Sequence, residues 1–258
     1  MITISVCNHK GGTGKTTSTL MLAAAAGLSG KRVLVIDLDP QGFFTRLVGV
    51  PEPEPEASSC LLFSESKSTG PLPVRSVSAF DLLPSSTRLS TDQRRLSRPT
   101  DVFWAKEFTA DLEASYDLVF IDTAAALTVF SLNALVASQW IVIPVLPEYQ
   151  PVVGAEQTFQ TAQMVRKKLN PALVDARFLL TMVDGRKRDH HAYAQYLRDR
   201  YGSSVLTNVV RTSASLSASR PNGVTAFEQD PGSRGAIDYA NAADELFAAI
   251  EDNLAISS

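Results

Sequence analysis

Cysteine is nearly missing from this 258-residue chain, which carries only Cys7 and Cys60. Two thiols so far apart exclude the disulfide frameworks of small secreted domains and any cysteine-rich metal site. A reducing cytoplasm is the expected compartment. Histidine is as scarce: beside His9 there is only the adjacent pair His190 and His191. Neighbours on a helix diverge by about 100°, so that pair is a poor metal grip and is expected on the surface. Long apolar runs are lacking too. No stretch reaches the length of a bilayer span, and no charged leader precedes an apolar core and cleavage site, so neither a membrane span nor export is expected. An excess of base is the last absence: 24 Lys and Arg against 27 Asp and Glu leave a formal charge of −3. That excludes a uniformly basic nucleic-acid binder but leaves room for a local patch.

What is present fits one α/β domain over residues 1–258. A hydrophobic content of 45% suffices for a sizeable core. Short β-rich runs at residues 2–7, 33–37, 81–83, 118–122, 140–145 and 177–183, with 204–210 as a further candidate, alternate with helical stretches such as 17–28. This is the pattern of a doubly wound, mostly parallel sheet flanked by helices. Pro51, Pro53 and Pro55 alternate with Glu52, Glu54 and Glu56 ahead of a Ser-rich stretch, which predicts a variable, exposed loop around 51–70. Trp104 and Trp140 are expected in the core.

The chemistry begins where the first strand ends, at His9-Lys10-Gly11-Gly12-Thr13-Gly14-Lys15-Thr16-Thr17. A Gly-rich turn between strand and helix lets backbone N–H groups converge on phosphates, and the helix N-terminus adds partial positive charge. Lys15 is placed to bridge the β- and γ-phosphates of a nucleotide. The Thr16 hydroxyl is the expected Mg²⁺ ligand, and Thr17 a further phosphate contact. One irregularity stands out: His9 occupies the place of the usual first glycine, and a second lysine, Lys10, follows it. Acids close two later strands. Val35-Ile36-Asp37-Leu38-Asp39 and Leu118-Val119-Phe120-Ile121-Asp122 end at the sheet edge where ligands gather, and Asp122 can hold a magnesium-bound water opposite Thr16.

The run Lys10-Gly11-Gly12-Thr13-Gly14-Lys15-Thr16-Thr17 resembles the deviant Walker A motif of the ParA/MinD family of P-loop ATPases. The resemblance covers nearly the whole chain, is weakest from about residue 50 to 80, and is nearest the ParA/Soj partitioning type. It implies ATP and Mg²⁺ as cofactors and an ATP-dependent homodimer in which Lys10 reaches the partner's nucleotide. It also implies that Asp39 positions the attacking water and that Asp37 supports the magnesium shell. The catalytic set is then Lys10, Lys15 and Asp39, and the metal set Thr16, Asp37, Asp39 and Asp122. Thr181 and Met182 fall where the family lines its adenine pocket. Two departures matter: Asp122-Thr123-Ala124-Ala125 replaces Asp-x-Pro-Pro, which leaves that switch less rigid, and the Pro-x-Asn of the second adenine loop is absent around Thr212.

The resemblance also implies non-specific DNA binding through Arg234, in Asp230-Pro231-Gly232-Ser233-Arg234-Gly235-Ala236. Residues 186–220 add a surplus of base that includes Arg211 and Arg220. The expected function is a switch ATPase that segregates or positions chromosome or plasmid DNA with a ParB-like partner, on the nucleoid. Positioning of a protein cargo is the alternative. A MinD-like membrane switch needs a basic amphipathic tail, whereas Tyr239, Ala243, Leu246, Phe247 and Ile250 form a core-type stripe flanked by Asp244, Glu245, Glu251 and Asp252. An iron–sulfur reductase lacks its cysteines. A small-molecule ligase or kinase sharing the loop is the remaining competitor.

Overall fold

Strands with both faces apolar are buried on both faces, and here the alternation sorts them. Val33 and Val35 face one layer while Leu34 and Ile36 face the other, all within 3% of full burial. In the computed structural model, which describes residues 1–64, 71–217 and 223–257, the strands are β1 (Ile2–Val6), β2 (Val33–Asp37), β3 (Arg75–Val77), β4 (Phe80–Leu83), β5 (Leu118–Asp122), β6 (Trp140–Val145) and β7 (Asp175–Leu180). They form one seven-stranded sheet in the order β3-β4-β2-β5-β1-β6-β7. Every pairing is parallel except β3 with β4.

The helices are α1 (Lys15–Leu28), α2 (Phe43–Leu47), α3 (Leu89–Asp92), α4 (Trp104–Ala110), α5 (Val129–Ala137), α6 (Tyr149–Lys168), α7 (Arg188–Tyr201), α8 (Ala214–Ser217), α9 (Ala226–Gln229) and α10 (Arg234–Ser257). One face of the sheet packs α1 and α10, and the other packs α4, α5 and α6. The apolar stripe of α10 is core: Tyr239, Ala243, Leu246 and Ile250 are buried, and the Tyr239 hydroxyl pairs with Ser18 Oγ on α1 at 2.9 Å. Among the described residues no helix is long and apolar enough to cross a membrane.

Helix α1 lies against the β3–β4 turn so closely that a Cβ on Gly27 would stand 1.8 Å from the Ala79 carbonyl oxygen. Gly27→Ala is therefore expected to cost about 1–3 kcal/mol, the range for overpacking, despite the better helix propensity of alanine. A urea midpoint at or above that of the wild type would contradict this approach.

Several expectations are corrected. Residues 204–210 form no strand: Phe178↔Val205 and Val183↔Arg211 are isolated bridges at the sheet edge, and the Leu206 and Val210 N–H groups donate to the Phe178 and Leu180 carbonyls. The reason lies on α10, whose Glu245 carboxylate accepts the backbone N–H groups of Thr207 and Asn208 at 2.7 and 2.8 Å and draws them off the ladder. Strand β7 stops before Met182 because that residue turns left-handed, at φ 51°. The first helix starts at Lys15 rather than 17, and β3 was not anticipated. Trp140 is buried, but Trp104 is only half-buried, at the start of α4 beside a cavity. Within the acidic Pro-rich stretch residues 51–57 are largely exposed, whereas Ser58, Ser59, Cys60 and Leu62 are buried. Residues 65–70 lie outside the described residues.

Candidate active site

Parallel register carries three chain segments to one edge of the sheet. Val6 and Asp37 are each register partners of Asp122, so the loop after β1 and the acids ending β2 and β5 emerge side by side. Gly14 takes the left-handed conformation at φ 85° and starts α1 with no side-chain cap and no acid in its first turn. The first-turn N–H groups of α1 therefore point out unsatisfied, as an anion site requires.

The two lysines of the loop are treated differently. Lys15 is buried, with Nζ donating to the Lys10 carbonyl at 3.1 Å, whereas the Lys10 side chain is exposed. Burial lowers the Lys15 ammonium below its usual range, against the opposing charge of Asp122. Thr16 Oγ1 donates to Asp122 Oδ2 at 3.0 Å, and Thr19 Oγ1 to the other carboxylate oxygen at 2.8 Å.

Asp37 and Asp39 are set apart by the same turn. Asp37 is fully buried and accepts from the Asp39 N–H, the Thr45 N–H and the Thr45 hydroxyl at 3.0, 2.9 and 2.7 Å. Its carboxylate thus holds the segment 39–45. The Asp39 carboxylate accepts the Gln41 N–H at 2.9 Å, and it lines a 360 Å³ cavity with Gly11, Gly12, Gly14, Lys15, Thr16 and Thr17. Burial raises the carboxyl pKa of Asp37, Asp39 and Asp122, and the Asp37 charge pushes Asp122 further.

Gly14 and Thr17 also border a second cavity, of 610 Å³, lined by Thr181, Met182, Glu148, His190 and Tyr239 among others. Thr181 is buried and donates to the Thr13 carbonyl at 2.8 Å, which ties the far wall to the phosphate loop. His190 corrects the surface expectation: it is 1% exposed. Its Nδ1 accepts the Asp184 N–H at 3.1 Å, so the proton sits on Nε2, which faces Glu148 Oε1 at 3.1 Å. Lys187 Nζ donates to the same carboxylate oxygen at 3.0 Å. His191, one residue on, is exposed and bonds the Gly185 carbonyl. The divergence of the pair is local geometry, but which member faces inward is set by the packing of α7, and no sequence signal marked His190 or Lys187.

Behind this cavity Arg186, Arg211 and Arg234 line one surface depression with Asp184 and Thr212. Arg234 is the exposed first residue of α10. Arg211 is tied to Asp238 through Nε at 3.0 Å, and Arg186 to Asp184 at 2.8 Å. Lys187 and Arg200 are likewise paired, with Glu148 and Glu156, so the basic surplus of this region is partly neutralised within the chain. Arg220 lies outside the described residues. At the switch after β5, Thr123 Oγ1 donates to the Val6 carbonyl at 2.9 Å, and Ala124 and Ala125 border the phosphate-side cavity.

A family model described as an AAA domain matches residues 1–174. The chromosome-partitioning ATPase Soj of Thermus thermophilus is 35% identical over 250 residues, 96% of each chain. The sporulation initiation inhibitor protein Soj of Bacillus subtilis is 32% identical over 95% of this chain and 98% of its own. Among solved structures, cobyrinic acid a,c-diamide synthase of Mycobacterium smegmatis, with bound ATP analogue and magnesium, matches at a TM-score of 0.81 and 27% identity, over 98% of this chain and 97% of that one. With a deviant phosphate loop at the edge of a parallel sheet and relatives aligned along nearly its full length, the chain belongs to the ParA/MinD family of P-loop ATPases.

Proposed function

We propose that this protein is an ATP-dependent dimerising switch ATPase of the partitioning type, which binds DNA without sequence preference and moves chromosome or plasmid DNA with a ParB-like partner. The observation that carries the reading is the division of labour between the two lysines: Lys15 is folded into its own loop and Lys10 is directed outward. A lysine that serves only its own nucleotide has no need to face solvent. Adjoining cavities that meet at Gly14 and Thr17 suit a mononucleotide, with phosphates against Lys15 and the base toward Thr181 and Met182.

The hard oxygen donors Thr16 Oγ1 and Asp122, 3.0 Å apart, suit a magnesium ion, with Asp37 and Asp39 as nearby acids. Bound there, Mg²⁺ supplies charge neutralisation at the β- and γ-phosphates. Lys15 and the open N–H groups of α1 hold the phosphates. Asp39 orients the water that attacks the γ-phosphorus, and hydrolysis yields ADP and phosphate. Asp37 keeps Asp39 in place by anchoring its backbone.

The DNA reading rests on Arg234 beside Arg186 and Arg211. It implies cytoplasmic protein held on the nucleoid. Co-sedimentation with unrelated DNA duplexes in ATP, ADP or no nucleotide tests it. Retention is expected with ATP alone and falls steeply with salt. Arg234→Ala should weaken binding to all duplexes alike and reduce the log–log salt slope by about one per lost phosphate contact, hence about two for a dimer. Failure of the wild type to retain DNA at low salt would shift the reading to protein cargo. It would also bring forward the small-molecule ligase that the name of the Mycobacterium smegmatis neighbour raises.

A further inference from the structure

Helix α6 carries a glycine, Gly154, in its second turn. Glycine inside a helix costs about 1 kcal/mol relative to alanine, so its place there needs a reason. A Cβ at Gly154 would stand 2.9 Å from Lys10 Cβ, 3.1 Å from Asn8 Oδ1 and 3.3 Å from the Lys10 nitrogen. None of these atoms is free to swing aside. The Lys10 Cβ moves only with its backbone. Asn8 is held at both ends, its Nδ2 donating to the Pro144 carbonyl at 2.8 Å and its Oδ1 accepting the Lys10 N–H at 2.9 Å.

The same helix takes hold of the preceding residue. Thr158 Oγ1 accepts the His9 N–H at 3.0 Å and donates to the Gly154 carbonyl at 2.8 Å. The amides of His9 and Lys10 are thereby spent on Thr158 and Asn8, and the amides left to meet phosphate begin beyond Lys10. Helix α6 and the front of the phosphate loop thus form one stitched unit, with Gly154 at its closest contact and the Lys10 side chain leaving from its outer surface.

We propose that Gly154 is a positioning residue for Lys10: by letting α6 lie directly on the front of the loop, it sets the direction in which Lys10 leaves the subunit. It thereby sets the reach of that lysine toward nucleotide held by a second copy of the chain. The inference rests on the ATP-dimer reading above. A side chain at 154 forces the loop front and α6 apart, which displaces Lys10 while the Lys15 half of the loop, rooted in α1, keeps its place.

The test uses the full-length protein with Mg-ATP. Gly154→Ala is expected to lower the thermal midpoint, as overpacking does, yet to bind a fluorescent ATP analogue within about threefold of wild type, while the ATP-dependent dimer weakens by about tenfold or more in sedimentation. In a Lys10→Ala background, at protein concentrations raised until the residual ATP dimer is measurable, Gly154→Ala should weaken that dimer no further, because residues acting through one contact are non-additive. General damage would add instead, and a further loss overturns the proposal. If Gly154→Ala does not fold, Thr158→Ala decides, since it releases the His9 N–H without adding bulk: a weakened dimer supports the stitched unit, and a wild-type dimer overturns it. Should Lys10→Ala itself leave the dimer intact, the trans reading of Lys10 has failed. Should Lys10→Ala lose the dimer while Gly154→Ala retains it, the role of Gly154 alone has failed.

Discussion

Asp39→Ala should bind Mg-ATP and hydrolyse it about 10²–10⁴-fold more slowly than wild type, the usual yield of a positioned acid–base group. The carboxylate borders the phosphate-side cavity with Lys15 and Thr16, so its removal leaves the loop that holds the nucleotide untouched. Burial raises its pKa, against the Gln41 N–H and the Lys15 charge. The backbone of the turn should survive the change: the Asp39 carbonyl accepts the Ser85 hydroxyl and the Gly42 N–H, and the Asp39 N–H is anchored on Asp37. With turnover blocked, the protein should accumulate as ATP dimer, visible by light scattering. Steady-state hydrolysis at the wild-type rate, with and without a stimulating partner, would remove Asp39 from the mechanism.

Lys10→Ala should lose the ATP-dependent dimer while the monomer still binds ATP. In cis, the Lys10 side chain is exposed, and what this residue gives its own loop is the backbone carbonyl that accepts from Lys15 Nζ and, at 3.4 Å, from Thr13 Oγ1. Alanine keeps that carbonyl. The loss therefore falls on whatever the ammonium reaches outside the subunit, and two such contacts vanish from a symmetric dimer. Light scattering and fluorescent-nucleotide titration on the same sample separate the two effects. An unchanged dimer in the mutant would return Lys10 to an ordinary surface lysine.

The phosphate loop and the acids at the ends of β2 and β5 were legible because each depends on neighbouring residues: glycines where the backbone must turn, and apolar runs closed by aspartate. The candidate strand at 204–210 was misread for the converse reason. Its apolar pairs Val205-Leu206 and Val209-Val210 suggest a strand, but the Thr207 and Asn208 amides between them are captured by Glu245, which α10 delivers from a distant part of the chain. The expectation for His190 failed in the same way. Composition favours exposed histidines, whereas the turn of α7 against Glu148 and Asp184 buries this one beside the larger cavity.

By itself the sequence determined the alternating strands and helices, the loop with its two lysines, and the acids that follow the strands, since periodicity and contiguous motifs are local properties of the chain. Only the tertiary structure decided how those groups divide their work. Parallel register sets Asp37 and Val6 beside Asp122, the turn after β2 spends Asp37 on backbone amides and leaves Asp39 facing the cavity, and the seat offered by Gly154 turns Lys10 outward while Lys15 folds in. These are contacts between segments far apart in the chain, and they exist only once the sheet has brought its strand ends together.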